Sequence, residues 1–211
     1  MTRTHRERGF SLVELMVALA LGLIVTVAVI ALVVSIIRSN RQTLQSTRLN
    51  QELRATLSVI ANDLRRARSV DDPLGVSALT PASNPYRQLD TDTLAGCMIY
   101  GYAGAVNGPW HILRLENGRI LLEGEAGDPK PATCDPDGPA TPIGSDQVEI
   151  TTLQFDPQTT TNNPPDLRDR AFVRKITVTI TGHLVDDDRE LAASTRTMSQ
   201  DVYIRSVGTG I

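Results

Sequence analysis

Hydrophobic and polar residues divide this chain into two stretches of different character. From Leu15 to Ile37 no residue is charged, and apolar side chains occupy all sides of a helical projection. A helix that crosses a membrane needs about 20 such residues, whereas a surface helix of a soluble protein would keep one polar face. The pattern therefore predicts a helix that lipid solvates on all sides.

The helix is predicted to continue beyond Ile37, because residues 38–69 contain neither Gly nor Pro. Apolar residues recur in this stretch at intervals of four, three, four and three, which places them on one helical face. They are Leu53, Leu57, Ile60, Leu64 and Ala67. Such a stripe needs a covering layer, and strands later in the chain are the candidates for it.

The rest of the chain alternates between short strand patterns and loops rich in Gly and Pro. The strongest pattern is a hairpin in which 112–115 and 119–122 flank Asn117-Gly118, a dipeptide typical of a two-residue turn. Further strands are predicted at 97–102, 147–155, 173–181 and 195–207. Loops are expected at 71–96, 124–144 and 156–169. One long helix followed by antiparallel strands gives an α+β fold class.

A short basic leader precedes the apolar run and ends at Gly9, after which Phe10 opens the run. The block 9–14, Gly-Phe-Ser-Leu-Val-Glu, resembles the class III signal of type IV pilins and type II secretion pseudopilins. The resemblance implies that prepilin peptidase cuts between Gly9 and Phe10, and that the new amino group of Phe10 is methylated. A secretory signal peptide would instead be shorter and would be removed together with its apolar region.

Glu14 is a carboxylate inside the apolar run. At the centre of a bilayer such a group costs about 3 kcal/mol on insertion scales, and it usually has a partner and a function. One interpretation is that Glu14 lies near the cytosolic interface and snorkels to water. Our hypothesis is that Glu14 is an assembly and docking residue, whose partner is the charged amino group of Phe10 in a neighbouring subunit.

These features predict four segments along the chain. They are a removed leader (1–9), a transmembrane and filament-core helix (10–37), an amphipathic helical continuation (38–69) and a β-rich domain (70–211). The basic leader favours a cytosolic amino terminus, although Arg38, Arg41 and Arg48 follow the span closely. The β-rich domain is therefore expected in the periplasm, on a single-pass inner-membrane protein that later joins a pilus or pseudopilus.

The two cysteines, Cys97 and Cys134, both lie beyond the span. In an oxidising compartment two cysteines most simply form one disulfide. The alternative is two buried, unpaired thiols.

Other candidate chemistry is sparse. Isolated histidines show no zinc-ligand spacing, and the sequence has no Gly-rich phosphate loop or nucleophile elbow. The acidic clusters 135–137 and 186–188 lack the spacing of an EF-hand, which favours solvated turns over a calcium site. Arg65, Arg66 and Arg68 are interpreted as a basic last helical turn rather than a DNA-binding patch. We expect no metal, no cofactor, no catalytic residue and no nucleic-acid partner, in line with a net charge of -3.

The order of one long helix and a following sheet is similar to pilin architecture, strongly to about Ala67 and loosely beyond. Residues 11–23, 62–67 and 202–205 look most like the PilW type of minor pilin. The alternative interpretation is the GspJ type of minor pseudopilin, from type II secretion. The resemblance implies a structural subunit whose partners are prepilin peptidase, other pilins through the amino-terminal helix, and the inner membrane before assembly. A membrane-tethered periplasmic enzyme is the remaining alternative.

Overall fold

The computed structural model describes residues 9–71, 84–91, 96–105, 108–125, 129–134, 140–161, 171–185 and 194–204. Within these ranges the elements are the helix α1 (Leu12–Leu64) and the strands β1 (Cys97–Gly101), β2 (Trp110–Glu116), β3 (Arg119–Glu125), β4 (Ala140–Ile143), β5 (Val148–Thr161), β6 (Ala171–Leu184) and β7 (Arg196–Tyr203). One long amino-terminal helix is followed by antiparallel strands, which confirms the predicted α+β class.

The chain divides into two compact units, the first ending at Ser46 and the second beginning at Thr47. In the first unit, none of residues 9–46 is buried, and the large apolar side chains from Phe10 to Ile37 are exposed. By length and composition, α1 has an apolar segment near its amino-terminal end that is long enough to cross a membrane. An exposed apolar surface, as the sequence predicts, is therefore present on this unit.

In the second unit, the apolar stripe of α1 is buried against the sheets, as the periodicity predicts. Leu53, Leu57, Ile60 and Leu64 of α1 are 0–4% exposed, and Ala67, in the turns that follow the helix, is 0% exposed. They share one core with apolar residues of both sheets, among them Met98, Leu113, Leu153, Ile176 and Val202. Full burial of a Leu or Ile side chain contributes about 1.5–3 kcal/mol, so this stripe is a principal link between helix and sheets.

The first sheet has the strand order β1-β2-β3-β4, and all of its neighbours are antiparallel. The β2–β3 hairpin turns at Asn117 and Gly118, whose φ angles of 49° and 75° are both positive. A type I′ turn requires positive φ at both central residues, which is why Asn-Gly is favoured there. Successive residues of β1 face opposite sides: Met98 and Tyr100 join the main core, while Cys97 and Ile99 join a smaller one.

The second sheet has the order β5-β6-β7, also antiparallel. Its inner face supplies apolar residues such as Val178 and Ile180 to the main core. Hydroxyl groups line the outer face, where Thr179 bonds to Ser199 at 2.8 Å and Thr181 bonds to Thr197 at 2.9 Å. This alternation of apolar and polar residues is the signature of a sheet that is buried on one side.

The end of α1 differs from the expectation. The helix ends at Leu64, before the expected limit at Ser69, and residues 65–68 form turns. Arg68 has a φ of 67° and its N–H donates to the carbonyl of Gly101 at 2.8 Å, so the chain leaves the helix to bond with the sheet. The last turn of the helix holds no basic residue, and the interpretation of this arginine triplet as a basic last turn was therefore wrong.

Some segments predicted as loops are partly ordered or buried. Within 124–144 the structure has the strand β4, and β5 continues through Thr161 into the expected loop. Because of Pro142 and Pro157, neither β4 nor the end of β5 was predicted as a strand. Both β4 and β5 lie at sheet edges, where proline is tolerated. In the range 71–96, Asn84 and Leu89 are buried. Both acidic clusters, 135–137 and 186–188, lie outside the described residues.

Candidate functional site

The segment 9–11 lies immediately before α1 and is exposed. The side chain of Phe10 is 84% exposed, and a Cβ added at Gly9 would meet nothing within 4 Å. Packing within the described chain therefore gives no reason for glycine at position 9. The Gly9–Phe10 bond lies in an exposed segment before the helix begins.

Glu14 lies in the first turn of α1. The helix begins at Leu12, and the N–H of Leu15 donates to the carbonyl of Ser11 at 3.1 Å, so Ser11 occupies the N-cap position. Ser followed by Glu three residues later is the pattern of a capping box, and a carboxylate in the first turn also interacts favourably with the helix dipole. Glu14 thus has a second candidate role, within its own helix, that the sequence analysis missed.

The surface of α1 beyond Glu14 is uncharged up to Ile37, and Thr26 and Ser35 are its polar side chains. The hydroxyl of Thr26 donates to the carbonyl of Gly22 at 2.7 Å, so this polar group is satisfied within the helix. Glu14 is the only charged side chain between Gly9 and Ile37. In lipid, this carboxylate is the one group on the span that attracts a cationic partner.

A polar and aromatic cluster joins the end of α1 to the first sheet. We call it the Asp63 cluster, and it consists of Asp63, Arg66, Tyr100, Tyr102 and His111. The carboxylate of Asp63 accepts hydrogen bonds from the hydroxyl of Tyr100 and, at 2.8 Å, from that of Tyr102. The guanidinium of Arg66 lies 4.3 Å from the centre of the Tyr102 ring, within the range of a cation–π interaction.

His111 completes this cluster from β2, where it is paired with Tyr100 of β1. Its ring stacks on Tyr102 with 4.3 Å between centroids and 9° between planes. Burial lowers the pKa of His111 below its usual 6.5; the negative charge of Asp63 opposes this effect and Arg66 adds to it. Burial and then Asp63 raise the pKa of Tyr100 well above its usual value, so its hydroxyl stays protonated as a donor.

Asp63 does not belong to the apolar stripe that the sequence predicts, and the sequence analysis missed this cluster. Its members are separated by 37 and 39 residues along the chain in the two tyrosine bonds to Asp63. The available signal was the alternation Tyr100-x-Tyr102, which puts both rings on one face of an extended strand. The geometry describes an anchor for the helix end, since Asp63 accepts hydrogen bonds from both tyrosines; among the described residues, the buried Nε2 of His111 has no hydrogen-bond partner.

The other face of β1 carries the disulfide. Cys97 and Cys134 are bonded, with 6.2 Å between their Cα atoms, so the expected pairing is present. They form a small core with Ile99, Trp110 and Ile112. The disulfide therefore holds the segment 129–134 over the side of the sheet that faces away from α1.

A buried ion pair lies on the same side of this sheet. The guanidinium of Arg114 is 2.7 Å from the carboxylate of Glu123, whose side chain is 1% exposed. Arg114 also pairs with the more exposed Glu116 at 2.7 Å, so it is the loss of Arg114 that would leave a buried charge, on Glu123, and be strongly destabilising. Among the described residues, no group of three His, Cys, Asp or Glu side chains is arranged to hold a metal ion.

The residues predicted to act in processing and assembly, Gly9, Phe10 and Glu14, are thus adjacent at the start of α1. The methylation motif of prokaryotic amino termini matches residues 4–30, which include all three. A processing motif, an exposed apolar helix and a following antiparallel sheet define a type IV pilin-like protein with a single-pass membrane anchor.

The particular family follows from the rest of the chain. The family described as Prepilin peptidase-dependent protein B matches residues 42–204, more than half of the sequence, and the chain belongs to it. The description of this family as dependent on prepilin peptidase supports processing of the chain by that enzyme. No curated protein and no solved structure matched the chain in the same comparisons.

Proposed function

We propose that this protein is a minor structural subunit of a type IV pilus, anchored in the inner membrane until it is assembled. Prepilin peptidase removes residues 1–9, and the new amino group of Phe10 is methylated. The β-rich unit then lies in the periplasm, and the protein performs no catalysis. The observation that carries the proposal is a processing motif directly before an apolar helix whose described residues 9–46 are all unburied.

Glu14 has the docking role in this proposal. Before cleavage the Phe10 nitrogen is an uncharged amide, and afterwards it is an amine that carries a positive charge, which methylation retains. Two such helices side by side in lipid would place this cation near the carboxylate of the neighbour. Pairing removes an isolated charge from hydrocarbon and sets the axial register between helices, so cleavage would have to precede assembly.

The capping role of Glu14 and its docking role predict different mutational results. Glu14→Gln keeps a side chain that fits a capping box but removes the charge. Ser11→Ala removes the capping side chain and keeps the charge. We expect Glu14→Gln and Glu14→Ala to insert and to be cleaved normally but to be lost from assembled filaments, while Ser11→Ala assembles like the wild type.

The test measures three quantities in cells that contain active prepilin peptidase. Mass spectrometry determines the mature amino terminus, membrane fractionation determines insertion, and sheared filaments are assayed for the subunit. Normal incorporation of Glu14→Gln would rule out docking through the charge, and a loss caused by Ser11→Ala would point to the cap instead.

Processing is tested separately with Gly9. The mature chain should begin with methylated Phe10, and Gly9→Val should leave residues 1–9 attached. Because a Cβ at Gly9 meets nothing within 4 Å, a processing defect would come from the protease site and not from misfolding. A wild-type chain that keeps Met1, or that is cut after Ile37, would contradict the proposal.

A further inference from the structure

Two arginines stand directly after the apolar span. Arg38 is the first charged residue after Glu14, and Arg41 is the next. Both are exposed on α1, and in the part of the chain that the structure describes neither forms an ion pair. Residues 15–51 contain no Asp or Glu, so nearby positions of the helix do not compensate their charge.

The helix surface beside Arg38 changes character along its length. A shallow groove on α1 is lined by Ala31, Val34, Ser35, Arg38, Ser39 and Gln42. Its first two residues are apolar, and the later ones are polar or cationic. A molecule that matches this order has an apolar tail along the first part and an anionic head at the second. Phospholipids have this arrangement.

The orientation of the chain in the membrane does not explain why arginines occur at these positions. Arginines close to a span favour the cytosolic side. The leader has Arg3, Arg6 and Arg8, whereas Arg38, Arg41 and Arg48 follow the span on its other side. In the proposed orientation the second group is translocated, against this tendency. A binding role on the far side of the membrane would account for cationic residues at these positions.

We propose that Arg38 and Arg41 bind the phosphate groups of anionic phospholipids in the leaflet at the carboxyl end of the span, and so set the depth of α1 in the membrane before assembly. The proposal rests on the proposed function only for the choice of leaflet. Residues three apart on a helix are neighbours, so both side chains reach one region of headgroups. The planar guanidinium suits bidentate contacts with phosphate oxygens.

The experiment uses the full chain, purified from membranes in mild detergent and incubated with equal amounts of phosphatidylglycerol and phosphatidylcholine. Native mass spectrometry then gives the ratio of the two lipids that stay bound. Each arginine near a headgroup is expected to change anionic retention about fivefold at low ionic strength. The double variant Arg38→Gln/Arg41→Gln should therefore lower the ratio by about 25-fold. Added inorganic phosphate should leave the wild-type ratio unchanged, because the acyl chains also hold the lipid.

Arg54→Gln is the matched control, since it removes one exposed arginine of the same helix well past the span. It should keep the wild-type ratio. Equal ratios in the wild type and the double variant would overturn the proposal. An equal loss in Arg54→Gln would also overturn it, because net charge alone would then explain retention. The proposal would also be overturned if inorganic phosphate displaced the lipid. The same holds if an acidic pilin, and not lipid, is bound at Arg38 and Arg41.

Two further measurements separate this result from other failures. The emission maximum of Trp110, the single tryptophan, should be unchanged in all variants, which confirms that the β-rich unit stays folded. The mass of the same samples reports whether the chain begins at Phe10. An uncut chain with arginine-dependent lipid retention would refute the proposed function and support this inference. A cut chain without such retention would refute the inference alone.

Discussion

Removal of the Asp63 carboxylate tests the anchor between α1 and the first sheet. In Asp63→Ala the hydroxyls of Tyr100 and Tyr102 lose their common acceptor. These two tyrosines are 0% and 3% exposed, so water has little access to replace it. The perturbation therefore leaves two buried donors unsatisfied, and it removes no apolar contact of the helix stripe.

The expected magnitude follows from these two groups. An unsatisfied buried polar group costs about 1–3 kcal/mol, so two of them should lower the free energy of unfolding by about 4 kcal/mol. Stabilities of 5–15 kcal/mol are typical of folded domains, so this loss would be large. Adding Tyr100→Phe and Tyr102→Phe removes the donors too, and the triple variant should recover about 2 kcal/mol relative to Asp63→Ala.

The assay is urea unfolding of the full chain in detergent, followed by the fluorescence of Trp110. This residue is 3% exposed and packs edge-on against Tyr86, so its emission reports the folding of the β-rich unit. Asn62→Ala is the control, because Asn62 accepts only an exposed bond from Arg65, and its effect should stay within about 0.5 kcal/mol. A loss below about 1 kcal/mol for Asp63→Ala, or a triple variant no more stable than it, would refute the reasoning.

Two more predictions use the same assay. The double variant Cys97→Ser/Cys134→Ser opens a crosslink between residues 37 apart and should lower the free energy of unfolding by about 4 kcal/mol in the chain-entropy model; an unchanged urea midpoint would contradict it. Burial holds the pKa of His111 below 6.5 in the folded chain, with Asp63 and Arg66 facing its ring, so the unfolded chain takes up the proton first. The stability from neutral His111 is complete above about pH 6.5 and is lost as the pH falls below it. His111→Phe keeps a ring in the stack and should lose less stability between pH 7 and pH 5; an equal loss would show that His111 is not the responsible group.

Local patterns predicted the parts of this fold whose cause is local. An uninterrupted apolar run and the absence of Gly and Pro from 38–69 were sufficient for the long helix, and a period of 3.6 identified its buried stripe. The Asn117-Gly118 turn was recognisable because the positive φ that it requires is a property of those two residues. The disulfide followed from the count of cysteines and the expected compartment.

Features that depend on distant partners were not recognised. The bonds of Asp63 were not predicted, because the tyrosines that donate to it lie 37 and 39 residues away along the chain, in β1 and directly after it. The end of α1 is set partly by the bond from Arg68 to Gly101, which no helix-ending signal in the sequence encodes. β4 was missed since it is a short edge strand with a proline, and its pairing with β3 is what orders it. In each case tertiary contacts override the local preference.

The apolar surface of α1 is covered in one part of the helix and exposed in the other. Beyond Thr47 the chain supplies its own cover, so that Leu53 and Ile60 are fully buried. Among residues 9–46 no such cover is described, and the large side chains of the span are exposed.

In lipid this exposure is not penalised, because hydrocarbon is as apolar as leucine, and apolar area therefore gives little reason for two spans to associate. Packing contacts and polar pairs have to provide the affinity and the register. Glu14 is the only charged group on the span, and under the proposed processing the amino group of Phe10 would be the new charge beside it. If assembly is selective for processed subunits, as we propose, this pair is the place in the described chain where that selectivity arises.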